Sequence, residues 1–131
     1  MIRIGVSALL AAALIGAAPA PQATGRIAWV TDGDTVRLES GERIRIAGVD
    51  APETQPGNAK CKAELARGKA ATAKAVTLLR GRTVTVERVG RSYNRTVARI
   101  RLHGRDVAAL LVDRGAARWW PRGKPKPDWC G

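Results

Sequence analysis

The chain has 131 residues, 45% of them hydrophobic, and carries 23 Lys and Arg against 11 Asp and Glu, a formal charge of +12. That length suits one domain and that composition a packed core rather than disorder, which excludes multidomain machines and multi-span membrane proteins. Two Cys and one His are too few for a zinc site of Cys and His within one chain, and scarce aromatics leave the core to Val, Ile, Leu and Ala.

The first segment runs from Arg3 through an apolar stretch, Ile4 to about Ala18, into the small-residue and proline stretch Ala17–Ala23. Charged, apolar and small residues in that order are the pattern of a secretory signal peptide, and the run is shorter than the roughly 20 residues of a membrane-spanning helix. Residues 1–23 are therefore expected to be a leader, and 24–131 a secreted or periplasmic domain without stable membrane insertion. Ala18-Pro19-Ala20 has the A-x-A form but puts Pro21 after the cut, so the cleavage position is not fixed. Removing residues 1–23 takes away only Arg3, so the positive charge belongs to the folded part. It favours polyanionic partners, nucleic acid first and acidic envelope surfaces second. Export would put Cys61 and Cys130 in an oxidising compartment, where one intramolecular bridge would fasten the tail to the start of the first helix and stabilise the fold by about 4 kcal/mol.

Arg26 to Thr31 reads as a first strand. Thr35 to Glu39 alternates Val36 and Leu38 with Arg37 and Glu39, and Glu42 to Val49 alternates Ile44 and Ile46 with Arg43 and Arg45, so the two predict a hairpin about Ser40-Gly41. Lys60 to Arg80 has a helical composition closed by Gly81. Thr83 to Val89 and Thr96 to Leu102 are two further strands, and Asp106 caps a short helix through Arg114. The tail from Trp119-Trp120-Pro121 to Gly131 has little periodicity. The order predicts an α+β chain: a small, partly open five-stranded β-barrel of the OB type, with one long helix between strands three and four and a short helix after strand five. An α+β sandwich is the competing layout.

In so basic a chain the acidic residues carry the information. Asp32-Gly33-Asp34 precedes the second strand and Asp50-Ala51-Pro52-Glu53 follows the third. Antiparallel pairing would set position 34 opposite 47–49 and position 50 opposite 31–33, so Asp34 and Asp50 would lie within roughly 3 to 7 Å along the strands. Close carboxylates need a cation or a proton between them, and oxygen ligands without a His or Cys cluster indicate Ca²⁺ or Mg²⁺. Pro52 favours an extended Ala51, which would offer its carbonyl as a further ligand. Glu53 is near enough to hold or deprotonate a water. Arg45 and Arg95 stand beside these acids, and a guanidinium grips phosphate bidentately. Taken alone, Asp32-Gly33 reads as a turn and any one arginine as a solvated face; the combination is what points to chemistry.

The string Asp32-Gly33-Asp34-Thr35-Val36, then Arg45-Ile46-Ala47-Gly48-Val49-Asp50-Ala51-Pro52-Glu53, then Tyr93-Asn94-Arg95, closely resembles the staphylococcal nuclease (thermonuclease) family over about Gly25 to Ala117. The resemblance implies an OB-fold, calcium-dependent phosphodiesterase acting on DNA and RNA and leaving 3′-phosphates. By motif, Asp34, Asp50 and the Ala51 carbonyl would ligate Ca²⁺, Arg45 and Arg95 would hold the scissile phosphate, Glu53 would be general base or water-positioning group, and Tyr93 would lie against a nucleotide phosphate. The chain departs from the family at Arg91, where an acid is usual, and at Asn94, where a glycine is usual and Asn would take the positive φ. It also lacks the third helix and the C-terminal tyrosine pair; Trp119 and Trp120 would either stack on bases or pack the open end of the barrel. A monomeric secreted nuclease is the favoured reading. A catalytically inactive OB-fold nucleic-acid-binding module is the alternative, and a basic envelope-associated protein the third.

Overall fold

A computed structural model describes residues 23–131 together with Ile2, Gly5, Ser7 and Ala8. The leader expected over residues 1–23 lies almost wholly outside the described residues. Its last residue, Ala23, opens the first strand. The elements are β1 (Ala23–Asp32), β2 (Thr35–Leu38), β3 (Arg43–Ile46), β4 (Val49–Asp50), α1 (Lys62–Leu79), β5 (Thr83–Ser92), β6 (Arg95–Leu102), β7 (Arg105–Asp106), α2 (Val107–Asp113) and β8 (Arg118–Trp119).

Period-two alternation gives β2, β3, β5 and β6 one apolar face each, β1 turns Ile27 and Val30 inward on either side of a register shift, and closing the sheet on itself is what buries these faces together. Neighbours run β3-β2-β1-β5-β6 in antiparallel pairs, and a parallel pairing of β3 with β6 shuts the barrel, with Ile44 opposite Thr96, Arg45 opposite Val97 and Ile46 opposite Ala98. The result is the expected α+β OB-type barrel, here fully closed. Ile27, Val36, Ile44, Ile46, Val84 and Ile100 are each at most 2% exposed inside it, and each such burial is worth about 1.5–3 kcal/mol. His103 and Gly104 form the β6–β7 turn with positive φ.

The long helix packs across one mouth of the barrel through the stripe Glu64, Gly68, Ala71, Ala75, Leu78 and Leu79, a spacing of three and four that keeps one face inward. It starts at Lys62, not Lys60, because Cys61 caps it: Cys61 Sγ accepts the Glu64 N–H. It ends as expected at Gly81, whose φ is +78° and whose N–H reaches the Ile27 carbonyl.

Two sequence readings need correction. The third strand is not continuous from Glu42 to Val49. It stops at Ile46, Gly48 turns the chain at φ +81°, and β4 leaves the barrel to pair with β8, Val49 opposite Trp119 and Asp50 opposite Arg118. The hairpin register also differs. Thr35 faces Arg45 and the Ile46 N–H donates to the Asp34 carbonyl, so the turn centres on Ser40 and position 34 lies opposite 46 rather than 47–49.

Gly68 marks where helix and acidic loop touch: a Cβ there would stand 2.2 Å from the Glu53 carbonyl oxygen. Gly to Ala inside a helix ordinarily stabilises by up to about 1 kcal/mol. At this position the sign is expected to reverse, with Gly68→Ala losing about 1–3 kcal/mol from overpacking against backbone, measured by urea denaturation.

Candidate active site

At the end of the barrel where the Asp32–Asp34 turn, the β3–β4 bend and the β5–β6 hairpin meet, a cleft of about 480 Å³ opens. Asp34, Arg45, Asp50, Glu53, Tyr93 and Arg95, the side chains expected at the site, all line it, joined by Asp32, Trp120 and Lys126. Ala51 is buried beside them, and what it gives Asp34 is its N–H, 2.8 Å from Oδ2.

The turn is shaped by its own polar atoms. Asp32 Oδ1 accepts the Asp34 N–H at 3.0 Å, and Thr35 Oγ1 donates to Asp34 Oδ1 at 2.9 Å. Gly33 is required by close packing, since a Cβ would stand 2.8 Å from Ala51 Cβ and 2.7 Å from the Ala116 carbonyl. Burial, and then the negative charge of Asp34, push the Asp32 carboxyl up to about 7.

Arg45 points outward from β3 into this group. Its Nη1 donates to the carbonyls of Ile46 and Val49 at 2.7 and 2.8 Å, spanning the β3–β4 bend. Nη2 lies 3.3 Å from Asp34 Oδ2 and 3.8 Å from Asp50 Oδ1. One guanidinium thus ties together two carboxylates that come from different elements. The parallel pairing of Arg45 with Val97 brings Arg95, two residues earlier on the same face of β6, alongside. Arg95 makes only long contacts, 3.5 Å to Thr35 Oγ1 and 3.4 Å to Ser92 Oγ, which leaves its fork of donors available.

The hairpin tip corrects one expectation: Tyr93, at φ +55°, takes the left-handed conformation expected of Asn94. Asn94 Oδ1 is instead 3.4 Å from Arg43 Nη1. Tyr93 is 93% exposed at the mouth of the cleft, its ring centroid 5.9 Å from the Arg95 guanidinium carbon.

Glu53 sits on the wall toward α1. Burial raises its carboxyl above the ordinary value and the charges of Asp34 and Asp50 add to this, while Lys126 opposes it. Its backbone is fixed by a residue the motif reading passed over. Glu64, 3% exposed, accepts the N–H of Glu53 at 2.9 Å and of Lys60 at 3.1 Å. With Cys61 as cap the spacing is that of a capping box, but the acid reaches past the cap to the Lys60 N–H and also pins the acidic loop; the spacing Cys61-x-x-Glu64 was the available signal.

The tail completes the site. The Cys61–Cys130 disulfide is formed, Cα to Cα 6.0 Å, and the tail it anchors reaches Asp50. Lys126 Nζ stands 2.9 and 2.8 Å from the two Asp50 carboxylate oxygens, and the Trp129 indole N–H donates to Oδ2 at 2.9 Å. Of the tryptophans left open between base stacking and packing, Trp119 is exposed on β8 and Trp120 lies partly buried in the cleft, its backbone N–H on the Gly48 carbonyl.

Asp32, Asp34, Asp50 and Glu53 offer only carboxylate oxygens, the donor set of a hard divalent cation. Among the described residues no three acidic, His or Cys side chains converge as a ready-made cage, but Asp34 and Asp50 reach the same guanidinium and Asp32 and Glu53 line the same cleft, so the donor set is that of a hard cation. The residues therefore fit such an ion.

Glu64 also gives the site a pH signature. Burial works against its ionised form, but the N–H groups of Glu53 and Lys60 outweigh burial and hold the carboxyl below its ordinary value. A depressed carboxyl contributes stability that is full above the unfolded pKa, near 4.3, and lost as pH falls through the folded value. Glu64→Ala is expected to cost about 2–3 kcal/mol at neutral pH, where two N–H groups lose their acceptor, and the gap from the parent protein should narrow in acid denaturation series below that range.

The family described as staphylococcal nuclease homologue matches residues 43–128, more than half of the chain, from the start of β3 to the tail at Asp128. No curated protein gives a significant match. With a closed OB-type barrel and this matched span, the chain belongs to the staphylococcal nuclease homologue family.

Proposed function

We propose that the protein is a calcium-dependent phosphodiesterase that hydrolyses DNA and RNA and leaves 3′-phosphates, working outside the cytoplasm as a monomer. The observation that carries this reading is Arg45 Nη2 lying between Asp34 and Asp50 in a cleft that Arg95 and Glu53 share. Acid groups able to hold a cation and guanidinium groups able to hold a phosphate face the same space.

In this reading Asp34, Asp50 and the Ala51 carbonyl would hold Ca²⁺, which would supply positive charge to offset the negative charge of the phosphodiester. Arg95, with its donors uncommitted, grips two phosphate oxygens, and Arg45 adds a second guanidinium where negative charge grows as water attacks phosphorus. Glu53 takes the proton of that water; its raised carboxyl pKa moves it toward the working pH of a general base. For a 3′-phosphate product the departing group is the 5′-oxygen. Tyr93, exposed at the mouth, lies where a nucleotide phosphate would pass. The strong positive charge outside the cleft draws the polyanion in, and makes binding fall steeply with salt.

A catalytically inactive nucleic-acid-binding barrel is the second reading. It is favoured by one observation, that Lys126 and Trp129 already satisfy Asp50.

Plasmid DNA and RNA digestion by the mature protein with Ca²⁺, Mg²⁺ or EDTA separates the two. Cleavage is expected with Ca²⁺ and none with EDTA; salt-sensitive binding without cleavage under any divalent ion favours the second reading. Glu53→Gln is expected to lower turnover by on the order of 100-fold, read from initial rates. Arg95→Lys should also be strongly impaired, because an ammonium does not reproduce the bidentate fork.

A further inference from the structure

Asp50 is the most fully neutralised carboxylate of the cleft. Besides Arg45 at 3.8 Å, its nearer cationic partner arrives from 76 residues further along the chain: the Lys126 ammonium touches both carboxylate oxygens while Trp129 donates to one of them. The segment bearing them is built in. Trp129 is 5% exposed, the Arg118 guanidinium covers its ring at 4.1 Å, Arg67 donates to its carbonyl, and the next residue is the disulfide partner Cys130. Lys126 is the more accessible part, its side chain 37% exposed on a four-carbon stem.

We propose that Lys126 sets the divalent-cation affinity of the cleft, its ammonium competing with the ion for Asp50 while the Cys61–Cys130 bridge holds the competitor in place. The proposal rests on the reading of the cleft as a divalent-cation site. The argument is one of charge. Without Lys126 the cleft sets Asp32, Asp34, Asp50 and Glu53 against Arg45 and Arg95 alone. A tethered ammonium removes part of that excess before any ion arrives, so an entering ion must displace a charge-assisted hydrogen bond. Lys126 thus acts on the cation site through Asp50, whose two oxygens it occupies.

The test is calorimetric titration of Ca²⁺ into the mature protein, without substrate. Lys126→Met is expected to bind Ca²⁺ about tenfold more tightly or better, the order of one charge-assisted hydrogen bond, and Lys126→Arg to stay close to the parent. Removing the tether by Cys61→Ser with Cys130→Ser, where Ser keeps a helix cap at position 61, should tighten binding in the parent and add nothing to Lys126→Met. The Trp129 indole N–H resonance should shift on Ca²⁺ addition, because its acceptor is Asp50. Equal or weaker binding by Lys126→Met, or an indole resonance that stays fixed at saturating Ca²⁺, overturns the competition while leaving a cation site standing. Absence of Ca²⁺ uptake by both parent and Lys126→Met overturns the cation reading and this proposal with it.

Discussion

Mutual repulsion among carboxylates gathered in one partly buried cleft is the constraint around which this molecule is arranged. In water such charges are screened; in the cleft burial first, and neighbouring acids second, drive the carboxyls of Asp32 and Glu53 upward. The fold offers graded answers. Backbone N–H groups serve Asp34 and Asp32, Arg45 serves Asp34 and Asp50 together, and Lys126 serves Asp50 alone. Each answer belongs to a different element, so the cleft exists only when turn, strand, bend and tail are all in place. A half-formed cleft would hold charge without compensation.

The same logic explains why so basic a chain keeps an acidic centre. Positive charge is spread over exposed strand faces and the tail, where it would serve long-range attraction of a polyanion. Negative charge is concentrated where short-range chemistry would take place. Glu64 and Gly68 link this centre to the hydrophobic core, one by accepting the N–H of Glu53, the other by allowing α1 to approach the Glu53 carbonyl. Stability and site geometry therefore share atoms along the first turns of the helix.

Much of the fold could be read from the chain because period-two alternation and a helical stretch closed by glycine are local signals. The break after Ile46 was less visible, although it has a trace: Val49 is buried out of phase with Ile44 and Ile46, a slip that marks the bend. The meeting of Asp34 and Asp50 was legible from the hairpin, but the route differs, through β4 and Arg45 instead of an extended strand. Local propensity assigned the positive φ to Asn94, and the hairpin gives it to Tyr93. Lys126 and Trp129 had no periodic signal at all. Only the pairing of Cys61 with Cys130 hinted that the tail returns to the cleft, and which tail residue would face Asp50 depends on packing that spans most of the chain.

The parallel closure of β3 against β6 makes the separation of Arg45 and Arg95 a property of the main chain. Their anchor points are spaced by ladder hydrogen bonds, not by the shapes of the residues beneath them. Drift among Val, Ile and Leu in the interior would leave that spacing almost untouched. A single inserted residue in either strand would instead rotate one of the two guanidinium groups toward the apolar interior.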